Sequence, residues 1–290
     1  MRQYLIAGHA IQISGDKIPT LSGFDFFSSE KTNREPLLNI RTEPVLGDRT
    51  IVPFFSSELE NTAYDLSVSS NAYLYRMRKQ DGSWLLAEIR WENVGFQATI
   101  DWTGVFDDYA LYFTCWFLYG IAALSRQTVS IHSSVVMYQG KSIFFLGESG
   151  TGKSTHTRLW LHNFPATELL NDDSPFIRIE TDGSIRAYGS PWSGKTPCYK
   201  QIHTPIAAFV RLSQAPFNRI RRLKGIEAVG ALLPSCPVAL ASDKRLSEYI
   251  LAILSPVLEQ LPVYHLACLP NADAAQLVYD TLKQDRFLCG

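Results

Sequence analysis

The sequence predicts a mixed α/β protein with two domains: a β-rich N-terminal domain over residues 1–125, ending in a core helix, and an α/β domain over residues 126–290. Three observations support this prediction. Two alternating apolar stretches flank the turn Gln80-Asp81-Gly82, an uncharged helical stretch covers residues 109–124, and a glycine-rich loop (residues 147–154, the glycine loop) joins an apolar strand to a helix. A chain of 290 residues has the length of one or two domains.

The composition argues against several classes of protein. The chain has 27 Lys and Arg against 28 Asp and Glu, so a broadly basic nucleic-acid-binding protein is not expected. Its five cysteines are widely spaced and form no CxxC pair, which argues against a disulfide framework and against a zinc knuckle. The first residues include no long apolar run, so no signal peptide is predicted. We therefore expect a cytoplasmic protein with reduced thiols and no membrane partner.

In the N-terminal domain, alternating apolar residues predict short β-strands. They are expected at residues 4–6 and 11–13, in a hairpin formed by 72–77 and 84–91, and at residues 96–100. Residues 24–53 contain three prolines and little periodicity, which predicts mostly loop. A β-rich domain of this kind can bind an extended chain by strand addition, or it can serve only to cover the core helix. The sequence leaves both possibilities open.

The uncharged stretch at residues 109–124 is either a core helix or a membrane span. As a helix it extends roughly 24 Å, short of the ~30 Å hydrocarbon core of a bilayer. Asp107 and Asp108 precede it and Arg126 follows it, which matches the charge preferences of the two helix ends. We therefore predict a buried core helix.

In the second domain, strands and helices alternate. A strand is predicted over residues 129–138, with a two-residue turn at Gln139-Gly140 and a returning strand over residues 142–146. The other expected strands are 168–171, 176–180, 185–188, 206–212, 219–223 and 263–267. The expected helices are 155–162, 242–261 with Ser242 as its cap, and 272–283.

The glycine loop has the G-x-x-x-x-G-K-S pattern of a phosphate-binding loop. Its glycines let backbone N–H groups turn towards phosphate oxygens, and the following helix adds its N-terminal partial positive charge. Lys153 is expected to reach the β- and γ-phosphates, and Ser154 to offer its hydroxyl to Mg²⁺. The alternative is a tight strand-to-helix turn without a ligand. The predicted nucleotide site comprises Gly147, Glu148, Ser149, Gly150, Thr151, Gly152, Lys153, Ser154 and Thr155.

Two adjacent carboxylates, Asp172 and Asp173, follow at the end of a short apolar strand. Only one helix and one strand fit between Lys153 and this pair, so their strand can lie beside the strand that enters the glycine loop. Mg²⁺ prefers carboxylates beside the phosphates, and an acceptor hydroxyl needs a base within hydrogen-bond distance. We expect Asp172 to be the base and Asp173, with Ser154, to bind the metal, although neighbouring acids can exchange these roles. One of the two can instead be a turn or capping residue.

His132 and Lys195 are further candidates for catalysis. If Gln139-Gly140 closes a hairpin as a two-residue turn, the register places His132 opposite Gly147, at the mouth of the glycine loop. There it can support a carboxylate, but a slip of one residue would turn it to the other face, as a structural histidine. Lys195 ends a loop with two glycines and an aromatic residue. It is expected to bind phosphate or acceptor, or to lie on a surface turn.

Residues 132–178 resemble the HPr kinase/phosphorylase and phosphoenolpyruvate-carboxykinase-like P-loop group. The resemblance rests on the His132 strand with its hairpin, on the glycine loop, and on the closely following Asp172-Asp173, and it covers roughly residues 125–290. It implies a kinase domain with a mixed sheet and flanking helices, with ATP and Mg²⁺ as cofactors. It also implies that His132 and the two acids match the strand histidine and paired acids of the group. The chain is more similar to the small, divergent members found beside peptide-modification genes.

Together these residues predict an ATP-dependent phosphotransferase that acts on a hydroxyl group, with a serine of a peptide or protein as the first acceptor. A kinase for the hydroxyl of a small metabolite is a second possibility, and a nucleotide-sensing module without transfer is a third. The set of Lys153, Ser154, Asp172 and Asp173 favours a kinase, because a sensor need not keep a base. The sequence leaves the oligomeric state open.

Overall fold

The computed structural model describes residues 1–15, 21–29, 35–45, 51–59, 62–92, 95–104, 108–194 and 196–288. These residues form a mixed α/β protein that is rich in strands, as the sequence predicts. The chain divides into two units. The first contains Met1–Arg126 and Ala239–Ser247, and the second contains Gln127–Val238 and Glu248–Gly290.

The described part of the first unit contains an eight-stranded sheet in the order β1-β2-β3-β8-β7-β6-β5-β4. Neighbouring strands are antiparallel, except that β3 runs parallel to both β2 and β8. The strands are β1 (Arg2–Ile6), β2 (His9–Gly15), β3 (Leu38–Thr42), β4 (Phe55–Leu59), β5 (Thr62–Val68), β6 (Ala72–Lys79), β7 (Trp84–Glu92) and β8 (Gly95–Thr103). The other elements among the described residues between 1 and 126 are a 3-10 helix at Phe24–Phe27 and the helix α1 (Asp108–Leu124).

Most sequence predictions for this unit are confirmed. Strands β1, β2 and β8 and the β6–β7 hairpin lie where alternation predicts them. The prediction that residues 24–53 are mostly loop is wrong for β3, which hydrogen-bonds on both sides to strands distant in sequence. Helix α1 is a core helix, and its Tyr119 hydroxyl donates to the Ile6 carbonyl at 2.8 Å. Among the described residues, no helix has the length and apolar character needed to cross a membrane.

The described part of the second unit contains a nine-stranded sheet. Its main run is β12-β10-β11-β15-β17-β16, and the beginning of β15 continues to β14, β13 and β9. The strands are β9 (Thr128–Ser130), β10 (Ser133–Tyr138), β11 (Lys141–Leu146), β12 (Glu168–Asp173), β13 (Phe176–Ile179), β14 (Ile185–Tyr188), β15 (His203–Gln214), β16 (Arg219–Leu223) and β17 (Val263–Cys268). The helices after α1 are α2 (Lys153–Asn163), α3 (Ile226–Leu232), α4 (Val238–Ala241), α5 (Lys244–Gln260) and α6 (Ala272–Gln284), with a 3-10 turn at Leu233–Ser235.

The β10–β11 hairpin has the register that its turn predicts. Tyr138 pairs with Lys141 and Ser133 pairs with Leu146. The expected single strand over residues 129–138 is wrong, because the backbone leaves the sheet between β9 and β10. There the His132 amide donates to the carbonyl of Ser235 at 2.7 Å instead of to a strand.

Two other expectations from the sequence need correction. The strand predicted over residues 168–171 extends through both acids, as β12. The residue that caps α5 is Asp243 and not Ser242, since the Asp243 carboxylate accepts from the Leu246 amide at 2.9 Å.

The core of the second unit holds the glycine loop in place. Trp160 of α2, Val278 of α6 and Phe145 of β11 are fully buried in one cluster on one face of the sheet. Because α2 is packed against the strand that precedes the loop, the loop is held between two fixed elements.

Candidate functional site

At Gly147 and at Gly152, the backbone of the glycine loop has a conformation that favours glycine. Gly147 has φ 147°, and a Cβ there would lie 2.5 Å from Thr151 Oγ1. Gly152 has φ 103° and is the N-cap of α2, to which it contributes no side-chain cap. Residues other than glycine rarely adopt these backbone conformations. The loop therefore reaches the N-terminus of α2 by a path that leaves the helix end free of a side-chain cap.

Lys153 lies across the mouth of the loop. Its ammonium group donates to the carbonyls of Gly147 at 2.8 Å and Glu148 at 3.2 Å, and it lies 3.1 Å from His132 Nε2. Burial, assisted by the charge of Arg211, lowers the pKa of Lys153, although nearby carboxylates oppose this change. The cation is therefore held by neutral acceptors that a phosphate can replace.

His132 links Lys153 to Asp173. Its Nδ1 lies 3.2 Å from Asp173 Oδ1. Because an ammonium group has no acceptor, His132 Nε2 must accept from Lys153, which assigns the imidazole proton to Nδ1 and makes Nδ1 the donor to Asp173. Burial by itself raises the pKa of Asp173, but hydrogen bonds from His132 and Ser174, with the charge of Lys153, lower it overall. The histidine and the acid are each nearly half exposed, so both are accessible to a substrate.

Asp172 lies on the other side of the site, against the helix. The hydroxyl of Ser154 is 3.3 and 3.4 Å from its two carboxylate oxygens. Asp172 is buried and pairs with Ser134 of β10, while Asp173 pairs with Ser133. Since β10 also pairs with β11, this register brings both acids to the loop.

The backbone of Asp173 is strained. Its φ of 131° is rare for a residue with a side chain. It forms an isolated bridge with Ser193, and the Gly194 amide donates to the carbonyl of Asp172. A Cβ at Gly194 would lie 3.2 Å from both the Asp172 carbonyl and the Asp173 Cβ. The loop that precedes Lys195 (residues 189–194) thus packs against the two acids, while Lys195 itself lies outside the described residues.

Asn171, which the sequence analysis did not select, fastens this loop. Its buried amide nitrogen lies 3.2 to 3.4 Å from the carbonyls of Ser190, Trp192 and Cys198. Its amide oxygen accepts from the Ser174 backbone at 3.0 Å. The available signal was a polar residue directly after the apolar pair Leu169-Leu170, where burial is expected and such a side chain needs partners.

A cavity of about 630 Å³ opens beside the glycine loop, on the side away from the acids. His156 of α2 contributes a polar wall: it is buried, its Nε2 has no hydrogen-bond partner, and burial lowers its pKa to about 4. The remaining lining is mostly apolar. The cavity is lined by Gly150, Thr151, Gly152, Thr155, His156, Leu159, Leu212, Gln214, Ala215, Cys268, Leu269 and Pro270.

The structure therefore brings five predicted residues together, namely His132, Lys153, Ser154, Asp172 and Asp173. No protein-family model matches the chain. No curated protein matches it either. This cluster, together with the cavity on the other side of the glycine loop, is therefore the feature of the structure that points to a function.

Proposed function

We propose that the protein is an ATP- and Mg²⁺-dependent phosphotransferase with a P-loop kinase domain of the HPr kinase type. It transfers a phosphoryl group to a hydroxyl, with a serine of a peptide or protein as the first acceptor. The observation that carries the proposal is the chain Lys153–His132–Asp173 at the mouth of the glycine loop, beside the pair Ser154–Asp172. A strand-to-helix turn without a ligand would not need an acidic residue with a strained backbone, Asp173, beside a loop of the phosphate-binding pattern.

The donor lies along the loop in this proposal. Its phosphates accept from the loop backbone, from the N-terminus of α2 and from Lys153, which turns to them from the loop carbonyls. The cavity on the side of the loop away from the acids supports a nucleoside ligand, because its mostly apolar walls suit the base. The transferable phosphoryl group is then directed towards Asp172 and Asp173.

Ser154 and Asp172 fit a magnesium site. One hydroxyl and one carboxylate beside the phosphates are the sparse protein donor set that Mg²⁺ uses, the rest being water and phosphate. The bound ion would neutralise charge that develops on the phosphate oxygens. This division of roles is the reverse of the sequence expectation, which placed Asp173 on the metal.

His132 and Asp173 form the base in this proposal. When Lys153 turns to the phosphates, His132 Nε2 loses its donor and can accept the proton of the incoming hydroxyl. The hydroxyl oxygen then forms a bond to the terminal phosphorus, and the bond from that phosphorus to the bridging oxygen breaks, leaving the electron pair on the nucleoside diphosphate. Asp173, bonded at Nδ1, orients the imidazole and stabilises its positive charge.

The test uses γ-labelled ATP with Mg²⁺ and three sets of acceptors, namely serine-containing peptides, small alcohols and water alone. Label on a peptide supports the proposal, and label only on a small alcohol favours a metabolite kinase. ATP binding without transfer to any acceptor would indicate a sensing module. The matched control is His132→Gln, which keeps a polar side chain at the position but has no basic imidazole nitrogen.

A further inference from the structure

Arg211 lies beside the glycine loop on the neighbouring strand. Strand β15 runs parallel to β11, and Arg211 is opposite Leu146, the residue before the loop. One guanidinium nitrogen donates to Glu148 Oε1 at 2.9 Å, and another donates to the Ala231 carbonyl at 3.1 Å. The position is adjacent to the loop in space, although the residue is distant from it in sequence.

Glu148 accepts hydrogen bonds from two cationic side chains, those of Lys153 and Arg211. Its backbone carbonyl accepts from Lys153 at 3.2 Å, while its carboxylate accepts from Arg211. The Glu148 side chain is 76% exposed, whereas the Arg211 side chain is only 21% exposed. The Arg211 guanidinium is therefore held in place by its surroundings, whereas the Glu148 carboxylate can rotate into water.

We propose that Arg211 is a second cationic ligand for the polyphosphate on the glycine loop, and that Glu148 occupies its guanidinium until the phosphates arrive. The inference rests on the proposed function, because it takes the ligand of the loop to be a nucleoside polyphosphate. An exposed carboxylate contributes little in an ion pair, while a guanidinium matches two phosphate oxygens at once. Exchange of Glu148 for phosphate is therefore favourable.

A purely structural role for Arg211 makes a different prediction. Its bond to Ala231 lies at the C-terminal end of α3, where a cation stabilises a helix. In that case Glu148 is an ordinary surface partner, and removing its charge through Glu148→Gln has no effect that depends on Arg211. Arg221 provides a matched control. It also forms an ion pair with a glutamate, Glu227, at 2.9 Å, but Arg221 lies on β16 and not on the strand beside the glycine loop.

The experiment measures the affinity of inorganic tripolyphosphate and of MgATP by titration calorimetry. We expect Arg211→Gln to lower the affinity for both ligands by about 10-fold or more, which is the effect of losing a charged hydrogen bond. We expect Glu148→Gln to tighten both ligands several-fold, and this gain to be absent in the Arg211→Gln/Glu148→Gln double variant. Arg221→Gln should leave both affinities within about 2-fold of the parent protein.

Three results overturn the inference. The first is an Arg211→Gln affinity equal to that of the parent, and the second is a Glu148→Gln gain that persists in the double variant. If Arg211→Gln does not fold, the exposed Glu148→Gln variant still decides, because unchanged or weaker binding contradicts the proposal. A parent protein that binds neither ligand would remove the proposed function itself, which separates that failure from a failure of Arg211 alone.

Discussion

His132 Nδ1 lies 3.2 Å from Asp173 Oδ1, across a gap between two segments that enter and leave neighbouring strands. Both backbones are irregular there, since the His132 amide leaves the sheet and Asp173 has a positive φ. The two irregularities aim the side chains at each other and at Lys153. The contact between His132 and Asp173 is therefore determined by the fold of the backbone. The proposed chemistry depends on this contact more than on any other part of the site.

Asp173→Asn tests the base. The amide can still accept from His132 but carries no charge, so it stabilises an imidazolium poorly. We expect phosphoryl transfer to fall by on the order of 10²–10⁴-fold, with MgATP affinity nearly unchanged. Single-turnover transfer and calorimetry measure the two quantities. Ser174→Ala, which removes only the hydroxyl that donates to the other carboxylate oxygen of Asp173, serves as control. Equal losses in the two variants would contradict the assignment.

Asp172→Asn tests the metal role. Removing one carboxylate oxygen charge beside Ser154 should raise the Mg²⁺ concentration needed for ATP binding, while binding at saturating Mg²⁺ recovers. Titration of Mg²⁺ at fixed ATP measures this requirement. A variant with the parent's Mg²⁺ dependence and no transfer would return Asp172 to the role of base and Asp173 to the metal.

The sequence predicted the parts of the fold that depend on neighbouring residues. The β10–β11 register follows from a two-residue turn, where Gln139 and Gly140 both have positive φ. Strand β3 was missed because its partners β2 and β8 lie far along the chain, and its own residues show little alternation. The departure of the chain from the sheet at His132 was missed for the same reason, since the acceptor is Ser235.

The candidate site follows a similar division. Lys153 and Ser154 are prescribed by the loop pattern, and the two acids by their position after an apolar strand. Which acid faces Ser154 depends on the bulged register between β10 and β12, which local sequence does not reveal. Arg211 lay inside a correctly predicted strand, but its partner Glu148 becomes a neighbour only through the pairing of β15 with β11.

Asn171→Ala tests the anchor of the loop that packs against the acids. The change leaves buried carbonyls of Ser190, Trp192 and Cys198 without this donor. We expect the free energy of unfolding to fall by about 2–3 kcal/mol. Chemical denaturation measures it. Asn163→Ala, at an exposed position, is the control and should change stability by less than about 0.5 kcal/mol. Equal effects would contradict the anchoring role.

His156 predicts a pH dependence of stability. Its pKa is about 4 in the folded protein against an ordinary 6.5, so the unfolded chain binds the extra proton first. Its contribution to stability is therefore full above about pH 6.5 and falls as the pH decreases towards 4, by about 2 kcal/mol between about pH 7 and pH 5. His156→Met should remove this part of the pH slope in denaturation experiments. Parallel slopes for the two proteins would contradict the prediction.

Ala215→Trp tests the nucleoside cavity. The indole would fill the space beside the glycine loop without touching the acids. We expect MgATP affinity to fall by on the order of 10-fold or more, while the affinity for inorganic tripolyphosphate stays within about 2-fold. Calorimetry with both ligands measures the contrast. Parallel losses for ATP and tripolyphosphate would place the effect on the loop and not on a base-binding cavity.

Phosphate binding on the glycine loop is tested most directly by calorimetric titration of MgATP into the parent protein and into Lys153→Ala. We expect saturable binding to the parent and an affinity about 10- to 100-fold weaker in the variant, because the phosphates lose a charged donor. Circular dichroism should show the same folded structure in both proteins. Parent protein that binds no MgATP, or a folded variant with the parent's affinity, would contradict phosphate binding on the glycine loop.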